Sequence, residues 1–193
     1  MRYIGSKNRV LGFINEVIEN TYGDYSTATV ADLFSGTACV GKMFKEKGAK
    51  IISNDYMYFS YALQIAKIKK NTLPSEYFKT LEVLNNLKGK EGFFYREYTE
   101  AGIGKRNYFG EDNAKKIDAI CLYLKDKLES KEISADDFFF YKASLIDAVT
   151  KDTVFDELKE KAKQQKLNDN ELSMSIAVYM LGFSNYIGFC NDI

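Results

Sequence analysis

The sequence predicts an α/β fold over its first 70 or so residues and a helix-rich remainder, and three observations carry that expectation. Segments with helical spacing of apolar residues alternate with short apolar runs up to Leu73. The single proline, Pro74, then interrupts the chain where a helix interior could not continue. Beyond it only helical patterns recur. With 193 residues and 46% hydrophobic content, there is material for one core with a helical appendage.

Val10, Leu11, Ile14, Val17 and Ile18 recur at helical spacing after Ser6, a plausible N-cap, and predict an opening amphipathic helix. Ala28 to Phe34 (ATVADLF) is short and apolar enough for a buried strand. A small-residue turn leads from it into Cys39 to Lys47, a helix that Gly48 ends. Lys50 to Asn54 (KIISN) reads as a second strand, and Tyr56 to Lys70 as a second helix with Phe59, Ala62, Leu63 and Ala66 along one side. Two strands separated by a helix imply parallel pairing. Past Pro74, helices are expected at Glu76 to Leu87, Glu111 to Ser130 and Ser134 to Thr150, with two more after Thr153 and no third strand.

Composition removes several chemistries. The chain has no histidine, the usual general base and metal ligand at neutral pH, so catalytic triads and histidine-metal sites are excluded. Cys39, Cys121 and Cys190 are far apart and form no CxxC pair, which argues against a zinc site or a disulfide framework and predicts reduced, mostly buried thiols. No metal is expected. No apolar run approaches the roughly 20 residues of a membrane span, and no secretion signal opens the chain, so the expected address is the cytoplasm, away from membranes. Net charge is zero overall but runs from +4 over residues 1–70 through +1 over 71–110 to −3 over 111–150 and −2 over 151–193. A phosphate-binding face therefore belongs on the N-terminal half, unless the asymmetry is ordinary variation in solvated surface.

The chemistry-bearing stretch is Asp32-Leu33-Phe34-Ser35-Gly36-Thr37-Ala38-Cys39-Val40-Gly41. Here a strand ends in a small-residue turn that opens a helix, which points backbone N–H groups at a ligand beyond the strand's C-terminal edge. Its glycines do not have the GxGxxG spacing of a dinucleotide fold, and no GK[ST] follows to make a P-loop. S-adenosylmethionine, which has no pyrophosphate, fits that turn better. Asp55 follows the second strand, 23 positions after Asp32, where a carboxylate can accept both ribose hydroxyls of an adenosine ligand, and Tyr56 beside it can cover the adenine. An ordinary strand-to-helix connection is the bland alternative for the turn alone; the full strand-turn-helix-strand-Asp order makes it less attractive.

Three stretches together, Tyr3-Ile4-Gly5-Ser6-Lys7, DLFSGTACVG and FKEKGAKIISNDYMYFSYALQ, resemble the opening motifs of the D12-class adenine-N6 DNA methyltransferases of restriction-modification systems. The likeness resumes at Asn107 to Ile120 and at Ala143-Ser144-Leu145, so that about two-thirds of the chain is covered. It implies a Rossmann-like S-adenosylmethionine-dependent methyltransferase fold, incomplete here, with a helix-rich C-terminal part. Residues 1–73 would form the α/β cofactor-binding region, 74–150 a helical DNA target-recognition region, and 151–193 a divergent helical end. Tyr3, Gly5 and Lys7 match the N-terminal motif whose lysine approaches the methionine carboxylate. Asp32, Phe34, Ser35, Gly36, Thr37, Asp55 and Tyr56 complete the implied cofactor set. Phe34 and Gly36 match the first two fixed positions of the family's FxGxG, but the third is Ala38, which adds a methyl where the turn calls for glycine's freedom.

The resemblance also implies a [DNS]PP[YF] tetrapeptide that holds the target N6 amine and stacks the flipped base. One proline in the whole sequence precludes it. The expectation is a truncated, split or degenerate member, inactive alone, that is either cut short or works with a second chain that carries the motif. Ser184-Asn185-Tyr186 is a poor substitute because it lacks the rigid Pro-Pro geometry. Gly92 to Phe109 interleaves aromatics with Arg96, Lys105 and Arg106, a composition suited to double-stranded DNA, although the same aromatics could be core or lid residues with solvated basic neighbours. Two other readings stay open: a non-enzymatic DNA-binding or subunit-interaction module on a degenerate methyltransferase fold, and a small-molecule methyltransferase, which leaves the Tyr3 to Lys7 match unexplained.

Overall fold

The computed structural model describes residues 7–149. Tyr3, Gly5, Ser6, Cys190, the Ser184-Asn185-Tyr186 stretch and the helices expected after Thr153 lie outside the described residues. Contacts gather the described chain into two units, one of residues up to Leu73 together with those from Ile146 on, the other Pro74–Leu145.

In the first unit a 3-10 turn, Lys7–Val10, leads into α1, Leu11–Tyr22. Then follow β1 (Thr29–Asp32), α2 (Cys39–Glu46), β2 (Lys50–Ser53) and α3 (Tyr58–Gln64), which continues as a π-helical turn over Ile65–Lys69. The strands pair in parallel, with Thr29 opposite Lys50, Val30 opposite Ile51, Ala31 opposite Ile52 and Asp32 opposite Ser53. Side chains alternate across a strand, so Val30 and Ile51 fall on one face. They pack there with Ile14 and Ile18 of α1 and Val40 and Met43 of α2 against Tyr25, Phe44 and Ala49. The Tyr25 and Phe44 rings meet edge to face at 5.1 Å. On the opposite face no described residue covers Ala31, Leu33 and Ile52, which are exposed. Among the described residues these two strands are the whole sheet.

The parallel strand-helix-strand reading holds, but element boundaries differ from the sequence expectation. β1 stops at Asp32 rather than Phe34, because β2 offers only four partners and the Ser35 N–H already donates to the Asn54 carbonyl at 3.0 Å. α1 starts at Leu11 without a side-chain cap, preceded by four exposed residues in the tighter 3-10 turn. The helix expected as one piece from Tyr56 to Lys70 changes pitch after Gln64, where Lys70 N–H donates to Ile65 C=O at 2.9 Å. Ala62, Leu63 and Ala66 on its expected inner side are buried, and Phe59 is half-buried.

The second unit contains α4 (Tyr77–Asn86), α5 (Phe93–Tyr98), α6 (Glu111–Glu129) and α7 (Ala135–Val149), whose last turn is counted with the first unit. Tyr77 joins α4 to α7, its ring 5.8 Å from that of Phe140 and stacked at 6.1 Å on Tyr141. Lys116 of α6 donates to the Asn85 and Leu87 carbonyls at 2.7 Å each and so closes the C-terminal end of α4. Burial pushes its ammonium below the usual lysine range. No helix among the described residues is long and apolar enough to cross a membrane.

Candidate cofactor site

The turn between β1 and α2 is held from three sides. Ser35 Oγ donates to the Asp32 carbonyl at 2.8 Å and lies 2.6 Å from Ser53 Oγ, which locks the turn onto both strand ends. Gly36 N–H donates to Asp55 Oδ2 at 2.8 Å, and Met57 N–H to Asp55 Oδ1 at 2.9 Å. Lys67 reaches over from the π-helical turn and donates to the Thr37 carbonyl at 2.9 Å. Ser35, Thr37 and Ala38 are buried, whereas Phe34 and Tyr56 stand 81% and 99% exposed beside them. The structure thus brings Asp32, Phe34, Ser35, Gly36, Thr37, Asp55 and Tyr56 together at the C-terminal ends of the two parallel strands, where open α/β sheets bind ligands. Lys7 lies exposed in the 3-10 turn that packs against α2.

Asp55 is a structural acceptor in this arrangement. The Met57 N–H, and to a smaller extent that of Gly36, hold its carboxyl below the usual aspartate range, while burial works the other way. A carboxylate has about four lone-pair directions, so two N–H bonds leave acceptor capacity on both oxygens. Because its folded-state pKa is depressed, the stabilisation is present above the unfolded value and is lost as pH falls through the folded one. The turn should therefore keep its structure from neutral pH down to about pH 4 and loosen below it. Amide exchange or chemical shifts of Gly36 and Met57 followed across that range would check this.

Gly36 and Ala38 are both left-handed, with φ of 50° and 58°. For alanine this conformation costs roughly 1–2 kcal/mol, because Cβ crowds the following carbonyl. The methyl noticed at the third glycine position of the motif is therefore a point of backbone strain, and it is fully buried. Ala38→Gly is expected to raise stability by about 0.5–1 kcal/mol, after the loss of the methyl and the greater freedom of the unfolded chain are deducted. Urea unfolding of the two proteins measures it.

Sequence reading missed Ser53 and Lys67, the side chains that fasten the turn, and Gln64. Serine at a strand end carries no distinctive signal, and Lys67 reaches the turn from a helix that changes pitch. Gln64 Nε2 is buried on α3 without a hydrogen-bond partner, and one helical turn before it the buried Ser60 hydroxyl lies beside the Asp55 carboxylate and helps to hold it ionised. Of the thiols, Cys39 is buried and Cys121 half-buried, both free. Among the described residues no group of three or more Cys, Asp or Glu side chains is placed to hold a metal ion.

In the second unit, α5 and the loop after it occupy the aromatic-basic stretch. Asp118 of α6, only 4% exposed, accepts N–H bonds from Gly92, Phe94 and Tyr95 at 2.9–3.0 Å and so caps α5. The loop doubles back on that helix. Tyr108 and Phe109 N–H both donate to Tyr98 C=O at 3.1 Å, and a Cβ on Gly102 would sit 2.3 Å from the Arg96 carbonyl oxygen. Phe93, Phe94, Tyr98, Tyr108 and Phe109 form one ring cluster with centroids 5.6–6.3 Å apart. Arg96, Lys105 and Arg106 are exposed around it, with the Arg106 guanidinium 5.6 Å from the Tyr98 ring. The aromatics thus pack on one another, yet Phe93 and Tyr108 keep exposed faces.

Comparison with known proteins decides the family. The model of the D12 class N6 adenine-specific DNA methyltransferases matches residues 3–191. The chain belongs to that class. It is 32% identical over 152 residues to the type II methyltransferase M.NlaIII of Neisseria lactamica, covering 78% of this chain and 46% of that protein. It is 37% identical over 161 residues to the modification methylase LlaI of Lactococcus lactis subsp. lactis (78% and 25% covered). It is also 40% identical over 164 residues to the type II methyltransferase M.FokI of Planomicrobium okeanokoites (77% and 24%). The chain therefore spans about half the length of one of these relatives and about a quarter of the other two. No solved structure matches it significantly. Membership implies the S-adenosylmethionine-dependent methyltransferase fold, of which the described residues show a two-stranded parallel sheet and its flanking helices.

Proposed function

We propose that this chain is the cofactor-binding part of a site-specific DNA adenine-N6 methyltransferase. The observation that carries the reading is the Gly36 turn at the end of β1, tied to Asp55 at the end of β2. Around it, Phe34 and Tyr56 offer uncovered rings to an adenine, Asp55 has acceptor capacity for ribose hydroxyls, and Tyr3, Gly5 and Lys7 carry the family's motif for the methionine end. The unpaired buried Gln64 Nε2 on α3 fits a polar ligand, since buried polar atoms in folded proteins nearly always have partners. S-adenosylmethionine supplies the methyl group when bound; these residues hold and orient it. The second unit serves target recognition, with Arg96, Lys105 and Arg106 meeting phosphates of double-stranded DNA.

Methyl transfer needs more than this chain contains. Without a Pro-Pro pair nothing in these residues aims a backbone carbonyl at the adenine amine, so the tetrapeptide comes from elsewhere, either from further sequence of the same protein or from a second polypeptide. The purified chain is expected to transfer no labelled methyl groups to duplex DNA, and transfer above background with no other polypeptide present contradicts the proposal. Ala38 favours one alternative, a non-enzymatic DNA-binding or subunit-interaction module whose pocket has decayed. Absence of S-adenosylmethionine binding would select it.

A further inference from the structure

Lys67 is not part of the β1–α2 turn, yet the turn depends on it. α2 and the π-helical segment grip each other through two lysines pointing in opposite directions. Lys67 donates to the Thr37 carbonyl just before α2, while Lys45 near the end of α2 donates to the Ile68 and Lys70 carbonyls at 2.8 and 3.3 Å. Between them Gly41 leaves room for the Ile68 side chain, whose Cδ1 would lie 2.6 Å from a Cβ placed there. The π-helical turn makes this possible. Its extra residue rotates everything after Gln64 by about 100° relative to a regular helix, and Lys67 falls within the rotated segment. Such inserted turns cost stability and concentrate at functional sites.

The clamp acts where the backbone is strained. Gly36 and Ala38 flank Thr37 and are both left-handed, and Ala38 pays a steric cost to stay there. α2 has no side-chain cap, so its first N–H groups depend on the turn for their direction. With the Thr37 carbonyl fastened to an ammonium group, the peptide planes on either side are fixed. We infer that Lys67 is a positioning residue for the methyl donor: it holds the Thr37 carbonyl and so keeps the Gly36-Thr37-Ala38 turn, left-handed at Gly36 and Ala38 and tied internally by the Gly36 N–H to Asp55 and the Ala38 N–H to the Ser35 carbonyl, in the shape against which the ligand sits. This rests on the cofactor reading above.

The experiment compares the full chain with Lys67→Met, Ala38→Gly and the double variant, by hydrogen exchange at the Thr37 to Cys39 amides without ligand and by calorimetry with S-adenosylmethionine. Lys67→Met should speed exchange at those amides about tenfold and weaken binding about tenfold. Ala38→Gly in the Lys67→Met background should recover binding to within about threefold of the parent, because glycine holds the left-handed turn without the clamp. A purely electrostatic role for the ammonium would not be rescued in this way. Unchanged exchange and affinity in Lys67→Met, or a loss that Ala38→Gly does not restore, overturns the inference. Should Lys67→Met fail to fold, Lys67→Gln is read by the same criteria. If the parent chain does not bind S-adenosylmethionine, the cofactor reading falls, while the exchange rates still decide whether Lys67 clamps the turn.

Discussion

Replacing Asp118 with alanine is expected to cost about 3 kcal/mol of stability and to release α5 with the loop that follows it. The carboxylate is buried and receives three backbone N–H groups, from Gly92, Phe94 and Tyr95. Charge-assisted bonds of this kind contribute roughly 1.5–3 kcal/mol each when buried, but they share one acceptor and are not additive. The larger cost comes from leaving the N-terminal donors of a six-residue helix without acceptors, since so short a helix has almost no intrinsic stability. Asp118→Asn keeps one good acceptor and should lose about half as much. Urea unfolding gives the magnitudes. Faster exchange confined to residues 92–109 would show where the loss falls, and a uniform change across the second unit would contradict the capping role.

The second large effect is expected at Asp55. Alanine there removes the acceptor for both Gly36 and Met57 N–H, one on the turn and one at the start of α3. The site is partly solvated, so water takes over some of the bonding and the stability cost is about 1–2 kcal/mol. For the cofactor the consequence is greater: the turn loses its tether and the ribose its acceptor together. Affinity for S-adenosylmethionine should fall at least about 100-fold, or ~2.7 kcal/mol. Asp55→Asn separates the contributions, because an amide retains one acceptor oxygen and lacks the charge.

How much of this was legible depends on how far apart the interacting residues lie. β1, β2 and α2 follow from local pattern, and the parallel pairing follows from their order. The elements of the candidate cofactor site could be read because the fold confines them to strand ends, which apolar runs mark in any sequence. Asp118 could not be read. In the run Lys115-Lys116-Ile117-Asp118-Ala119-Ile120 it looks like the solvated side of a helix, and its partners are 23 to 26 residues earlier. For the same reason α5 was invisible within Gly92 to Phe109: its helical start depends on a cap from another element, and periodicity over six residues is too short to detect. The π-helical turn was lost to the opposite effect, since Tyr56 to Lys70 has a continuous helical pattern and one extra residue in the hydrogen bonding leaves no mark on composition. Ala38 was noticed as a methyl in a glycine position; its left-handed φ converts that into a definite strain.

The claim on which the rest depends is that the Gly36–Asp55 turn holds a methyl donor, and calorimetric titration of S-adenosylmethionine into the full chain tests it most directly. The account predicts one site with a Kd on the order of 10 μM, abolished by Asp55→Ala in a protein that still unfolds cooperatively. No binding at millimolar ligand, or binding that Asp55→Ala leaves intact, would contradict it.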